Sequence, residues 1–158
     1  GGSITGGQNA VFNSVAGADG VAVFNITSAF FSGVSSLNFN TGGITTVINV
    51  TGANPFLGGG FNFNGSFPDV VFNFVDATNL TVSTAFGASI LAPLADAVIN
   101  GGRTQGSVVV GSLVQTVEID GPLFDGDVPV SEVPLPAGAV LLLTGLAGLG
   151  AAKRRKRA

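Results

Sequence analysis

Few residues in this chain have the chemistry for a site. Glu118 and Asp120 stand two apart in Thr116-Val117-Glu118-Ile119-Asp120, whose β-branched residues predict a strand. A strand would turn both carboxyls to one face, roughly 6–7 Å apart at the backbone, a separation glycoside hydrolysis can use. Acids on the solvent face of a last strand are far commoner than catalytic pairs. The pair therefore supports only an alternative reading, a carbohydrate-active enzyme, and no residue is assigned as catalytic. Asp125-Gly126-Asp127 offers oxygen ligands of the kind Ca²⁺ takes. The loop lacks the further ligands of an EF-hand and reads as a solvated turn, so no metal site is assigned. Asn25, Asn49, Asn64 and Asn79 each open an Asn-X-Ser/Thr triplet, which chance produces readily in so Asn-, Ser- and Thr-rich a chain. Thr45-Thr46 begins no Thr-X-Thr register of the sort a flat ice-facing array needs.

What is missing narrows the chemistry further. The chain has neither Cys nor His, which removes disulfides, thiolate metal sites, the commonest metal ligand and the commonest general base. No cofactor is expected. A tail of 26 residues taken from the 158 leaves a body of 132, enough for one domain with a core. That body holds nine acids and one base, Arg103, for a net charge of −8, while the tail carries +5. Nucleic acid is excluded as a partner, because phosphate binding needs clustered Lys and Arg. Disorder is excluded as well, since Val, Ile, Leu and Phe are abundant enough to bury. The chain opens at Gly1-Gly2-Ser3 with no charged-then-apolar leader, and we read the body as truncated on its N-terminal side.

The elements that must position these residues are strands. Val21-Ala22-Val23-Phe24-Asn25-Ile26-Thr27 and Ile44-Thr45-Thr46-Val47-Ile48-Asn49-Val50 are the clearest, each rich in β-branched residues and bounded by glycine. Leu37 and Phe39 alternate with Asn38 and Asn40, and Phe61 and Phe63 alternate likewise with Asn62 and Asn64. Further strands are expected at residues 70–74, 80–83, 89–91, 97–99, 107–113 and 116–120. Residues 1–20 read as mostly turn. The nearest approach to a helical stripe, residues 86–100, is interrupted by Pro93. The body is therefore all-β, with short strands about ten residues apart, a spacing that suits a sandwich or barrel as well as a solenoid.

Asparagine tilts that choice. Asn38, Asn40, Asn49, Asn62, Asn64 and Asn73 fall within or beside strands, where asparagine is normally depleted. A parallel solenoid accommodates them by stacking amides from coil to coil beside stacked Phe. A solenoid-like (β-helix) body is the expectation, and a β-sandwich the alternative.

The order of several segments also resembles a known family. Val71-Phe72-Asn73-Phe74-Val75-Asp76-Ala77-Thr78, Ser89-Ile90-Leu91-Ala92-Pro93-Leu94-Ala95, Gln105-Gly106-Ser107-Val108-Val109-Val110-Gly111-Ser112-Leu113 and Glu118-Ile119 follow one another as in the C-terminal part of the choice-of-anchor A domain. The resemblance covers roughly residues 42–124 and is most specific over 71–113. It implies an adhesin-like bacterial surface protein on a β-solenoid. Two positions depart from the family: Leu94 stands where it tends to have Asn, and Asp120 where it tends to have His.

The tail is organised differently. Residues 133–152 carry no charge and end at Lys153-Arg154-Arg155-Lys156-Arg157. Twenty residues at about 1.5 Å each would reach roughly 30 Å, the thickness of a bilayer's hydrocarbon core. Pro134 and Pro136 keep the first residues out of the helix, so the apolar helix from Ala137 is short, and snorkelling by the basic end makes up the difference. Gly145, Gly148 and Gly150 are of a kind common in membrane helices, and the terminal cations predict a cytoplasmic end with the body exported. Val133-Pro134-Leu135-Pro136-Ala137, the apolar run and the basic cluster together resemble a VPLPA-CTERM signal, a relative of PEP-CTERM tails. That resemblance implies an exosortase-type processing enzyme as partner, a Gram-negative source, transient anchoring in the inner membrane and final delivery to the cell surface or beyond.

Three parts follow: a β-rich surface domain over 1–124, an acidic linker over 125–132 and a sorting signal over 133–158. The function read from them is that of an exported, non-enzymatic cell-surface or matrix protein that adheres to a polysaccharide or protein ligand.

Overall fold

A computed structural model describes residues 1–58 and 62–128 of the chain. Its body is a stack of coils, each contributing up to three extended segments, and each segment pairs in parallel with its counterpart in the next coil. The first side of the stack holds β2 (Asn9–Ser14), β4 (Ser36–Asn40) and β7 (Asn62–Phe63) in parallel register. β1 (Gly2–Thr5) lies antiparallel on the outer edge of β2. Further along the same side, Phe86 bridges Thr104, and β11 (Thr104–Gln105) pairs with β13 (Ile119–Asp120).

On the second side, β3 (Ala22–Thr27), β5 (Thr46–Thr51) and β8 (Val70–Phe74) are followed by the start of β10 (Ser89–Gly101) and of β12 (Val108–Gln115). The third side begins with a 3-10 turn (Ser28–Gly33). It continues through β6 (Phe56–Leu57), β9 (Asn79–Ser83) and the far ends of β10 and β12. β10 and β12 thus each turn a corner and serve two sides. The fold is all-β and solenoid-like, and the sandwich alternative falls because neighbouring strands of the coils are parallel and one coil apart.

Coil length falls in a step along the stack. Residues in register are 27 apart from Asn9 to Ser36 and 24 apart from Thr46 to Val70. The interval is then 18 from Ile90 to Val108, 16 from Asp96 to Ser112 and 15 from Thr104 to Ile119. A shorter coil encloses a smaller cross-section, and the core changes with it. Wide coils are filled by phenylalanine: Phe12 stacks on Phe39 at 5.0 Å between ring centres, Phe39 on Phe63 at 5.4 Å, and Phe63 meets Phe86 at 4.7 Å. Phe72 sits beside this column, within 6.3 Å of Phe31, Phe39, Phe63, Phe74 and Phe86. Narrow coils hold Ala88, Ile90, Ala92, Ala95, Ala97 and Ile99 instead.

At the tightest corner the register of β10 against β12 slips between Ala92 and Asp96. Here a side chain on Gly111 would come 3.0 Å from the Pro93 carbonyl oxygen and 3.1 Å from that of Ala95, a tight approach that glycine eases. Pro93 itself, which read as an interruption of a helix, sits in this bulge, where the ladder is already broken.

Several boundaries differ from the expectation. Residues 1–20 contain β1 and β2 as well as turns, and 89–91 and 97–99 belong to one strand. The strand expected at 44–50 starts at Thr46, because the turn closed by the Ile44 N–H to Thr41 carbonyl bond holds Ile44 back. The strand expected at 116–120 is only Ile119–Asp120, because the last coil turns back before it can pair further. The pentapeptide from Val133 to Ala137, the apolar run behind it and the cations of 153–157 lie outside the described residues. Among those that are described, no helix is long and apolar enough to cross a membrane.

Candidate functional site

The outer surface is organised by amides. β3, β5 and β8 pair in register, so Asn25, Asn49 and Asn73 project outward one above another. The Asn49 amide donates to Asn25 at 3.0 Å and the Asn73 amide to Asn49 at 2.9 Å. On the first side Asn40 donates to Asn13 at 2.8 Å, and on the third Asn79 donates to Asn54 at 2.9 Å. These stacks satisfy one another's polar groups and are parts of the wall. Asn25, outside the set of strand asparagines expected to stack, begins the longest of them. Beyond Asn73 the same register position passes to Leu91 and then Val109, and the amide stack ends.

The structure does not assemble the carboxylate pair into a catalytic site. Glu118 is exposed and precedes β13. Asp120 is held side-on by Arg103, whose Nε donates to Oδ1 at 2.7 Å while Nη2 donates to Oδ2. That hydrogen bonding, aided by the guanidinium's charge against some desolvation, keeps the Asp120 carboxyl below its ordinary range. A carboxylate so engaged is poorly placed to attack or to give up a proton.

The acidic loop behaves unexpectedly. After β13 the chain doubles back along the corner between the first and second sides. The Phe124 N–H donates to Ser107 Oγ and the Asp125 N–H to the Pro68 carbonyl, both at 3.1 Å. Asp125, Gly126 and Asp127 then border a shallow depression of about 440 Å³ shared with Asp69, Thr41 and Thr45. Among the described residues no three His, Cys, Asp or Glu side chains gather as metal ligands would. Val128 ends the described strap, lying with Phe124 over Val71, Leu91 and Val109.

The third side carries a cleft of about 470 Å³ between the 3-10 turn and β6. Ser28, Ala29, Ser32 and Val34 form one wall, Asn54, Phe56 and Gly58 the other, and Phe31 the floor. Phe56 is 56% exposed, and among the described residues no other phenylalanine is exposed. Its ring lies across Gly58, where an added Cβ would come within 2.7 Å of the ring edge. The missing side chain leaves room for the ring edge over Gly58.

A family model described as "Putative Ice-binding-like adhesive domain" matches residues 1–121. The chain belongs to this family. No curated protein and no solved structure matches it. The match spans the whole stack of coils, from β1 to the turn after β13.

Within this adhesive domain the threonine pair singled out in the sequence is interior. Thr46 is fully buried, its hydroxyl bonded to Ser14 Oγ at 2.7 Å and to the Ile44 carbonyl at 2.9 Å, and Thr45 is buried beside it. Asn25 and Asn49, which open two of the four Asn-X-Ser/Thr triplets, spend their side chains on the amide stack. Leu94, one of the two departures from the choice-of-anchor A pattern, projects from the bulge at 71% exposure. Composition did not disclose the cleft. The available signal was Pro55-Phe56-Leu57-Gly58, where a phenylalanine stands outside the Phe-Asn alternation and before a glycine.

Proposed function

We propose that this chain is an exported, non-enzymatic surface protein whose adhesive domain is routed by a C-terminal sorting signal. The observation that carries the reading is the adhesive-domain family match over residues 1–121, on a body whose coils carry an amide pair or stack on each of three sides. The bidentate grip of Arg103 on Asp120 weighs against the carbohydrate-active alternative. The buried threonine pair weighs against an ice-facing array.

The finer reading rests on the tail. Its pentapeptide, apolar run and cations resemble a VPLPA-CTERM signal, and the body resembles the choice-of-anchor A domain. On this reading residues 133–137 are handled by an exosortase-type enzyme, and the apolar helix holds the protein briefly in the inner membrane. Lys153, Arg154, Arg155, Lys156 and Arg157 keep the C-terminus cytoplasmic. The product then reaches the cell surface or the extracellular matrix and adheres to polysaccharide or protein.

Deleting residues 153–157 tests the routing. The intact protein should reach the surface at a processed mass. The truncated form should stay unprocessed in the periplasm or be degraded, with its body folded. Equal delivery of both forms at the same processed mass overturns the sorting role.

A further inference from the structure

Phe56 and its cleft serve no part of the wall's construction. The neighbouring Leu57 is fully buried while Phe56 points out. The cleft combines an exposed aromatic ring with uncommitted polar groups. Asn54 Oδ1 accepts from Asn79, which leaves the hydrogens of the Asn54 amide for another acceptor. The Ser32 hydroxyl donates to the Ala29 carbonyl at 2.7 Å, which leaves its oxygen free to accept, and the Ser28 hydroxyl borders the same space. Among the described residues, none that lines the cleft is charged.

From these groups we propose that the cleft between the 3-10 turn and β6 binds one residue of a neutral glycan, stacked on Phe56 and hydrogen-bonded by Ser28, Ser32 and Asn54. A sugar ring has an apolar C–H face and a rim of hydroxyls that both donate and accept. The apolar face matches the open side of Phe56, and the rim matches the amide and hydroxyls opposite. A charged ligand would be left without a counter-charge here, which is costly in a partly enclosed site. The volume lies within the range of small-molecule sites, which likewise combine apolar walls with a few convergent polar groups. Position supports the same use. The cleft is on the third side, across the body from the corner along which the strap of residues 124–127 runs, so a tether leaving by the strap keeps clear of it. The assignment rests on the adhesive reading above and names the ligand class for it.

The test is binding by the full chain, purified in a detergent without a sugar headgroup. Isothermal titration would use cellohexaose, maltohexaose and laminarihexaose, with tri-galacturonate as the acidic comparison. At least one neutral oligosaccharide should bind, with tri-galacturonate weaker. Phe56→Ala should weaken binding at least about tenfold, the loss expected for one stacked aromatic contact. Phe56→Tyr should restore it, and Leu94→Ala, at an exposed site elsewhere, should leave it unchanged. No neutral oligosaccharide binding at concentrations up to about 10 mM overturns the inference, as does unchanged binding by Phe56→Ala or preference for the acidic probe. Cells that still adhere through the protein while the cleft is silent would overturn this assignment alone. Cells that never adhere would overturn the adhesive reading.

Discussion

Phe12, Phe39 and Phe63 stack inside the wide coils at 5.0 and 5.4 Å, whereas the narrow coils fill the equivalent space with Ala92, Ala95, Ala97 and Ile99. Both regions use the same parallel register, so the difference lies in perimeter. Coils of 24–27 residues enclose room for rings two abreast, and coils of 15–18 do not. The outside changes at the same place: an amide stack faces solvent through Asn73, then Leu91 and Val109 take over. Close glycine contacts occur in both regions: a Cβ on Gly101 would fall 2.1 Å from the carbonyl carbon of Ser83 and one on Gly87 1.9 Å from the Gly65 carbonyl oxygen, while one on Gly33 would meet nothing within 4 Å. A parallel solenoid can thus run on two different cores, provided glycine stands where neighbouring backbones meet.

The comparison can be broken most directly through Phe72. Phe72→Ala removes a fully buried ring that touches five others, and should cost about 3–5 kcal/mol in urea denaturation. A loss below about 1 kcal/mol would mean the wide coils close over the gap and are not set by their rings. Gly101→Ala should cost about 2–3 kcal/mol by the same measurement, and Gly33→Ala no more than about 0.5. Equal effects would show that the close approach of Gly101 to Ser83 adds no constraint.

Asn49→Ala breaks both bonds in the middle of the amide stack. Because Asn25 and Asn73 can turn to water, it should cost only about 1 kcal/mol. A neutral result would make the stack a passenger on the register. The smallest effect is expected at the narrow end, from Asp120. Hydrogen bonding from Arg103 lowers its folded-state pKa, so the pair's contribution is present above the ordinary Asp value of about 3.9 and is lost as pH falls through the lower folded value. Urea midpoints should drop slightly more over that acid window in the native protein than in Asp120→Asn. Identical pH profiles would show that the exposed pair adds nothing.

Local patterns made the strands legible and the amide stacks in part: Asn40, Asn49 and Asn73 stack as expected, while Asn38, Asn62 and Asn64 make no amide–amide bond among the described residues. Asn between β-branched residues is hard to place unless another amide lies above or below it, and Asn49 and Asn73 behave that way. The taper was not legible, because a search for a fixed period fails when the interval shrinks from 27 to 15. The return of Asp125-Gly126-Asp127 was also hidden: Pro, Gly and Asp announce a turn, but only the Pro68 carbonyl and Ser107 hydroxyl tell the chain where to lie. The engagement of Asp120 was hidden for a related reason. Spacing within a strand says nothing of Arg103, which lies 17 residues upstream of Asp120 and reaches it only because the coil there is short.

The strap has a mechanical meaning. Tension arriving from residue 128 meets the bonds at Pro68 and Ser107 before it meets any coil. Those bonds lie one after the other along the corner, so they open singly, as tape peels, while the ladders stay unloaded. Freeing residues 122–128 yields about 20–25 Å of slack at full extension, and only then does the pull reach β13 and the last turn of the stack. Single-molecule pulling from the C-terminal side should record that short, low-force extension ahead of the main rupture, and Ser107→Ala should bring it forward.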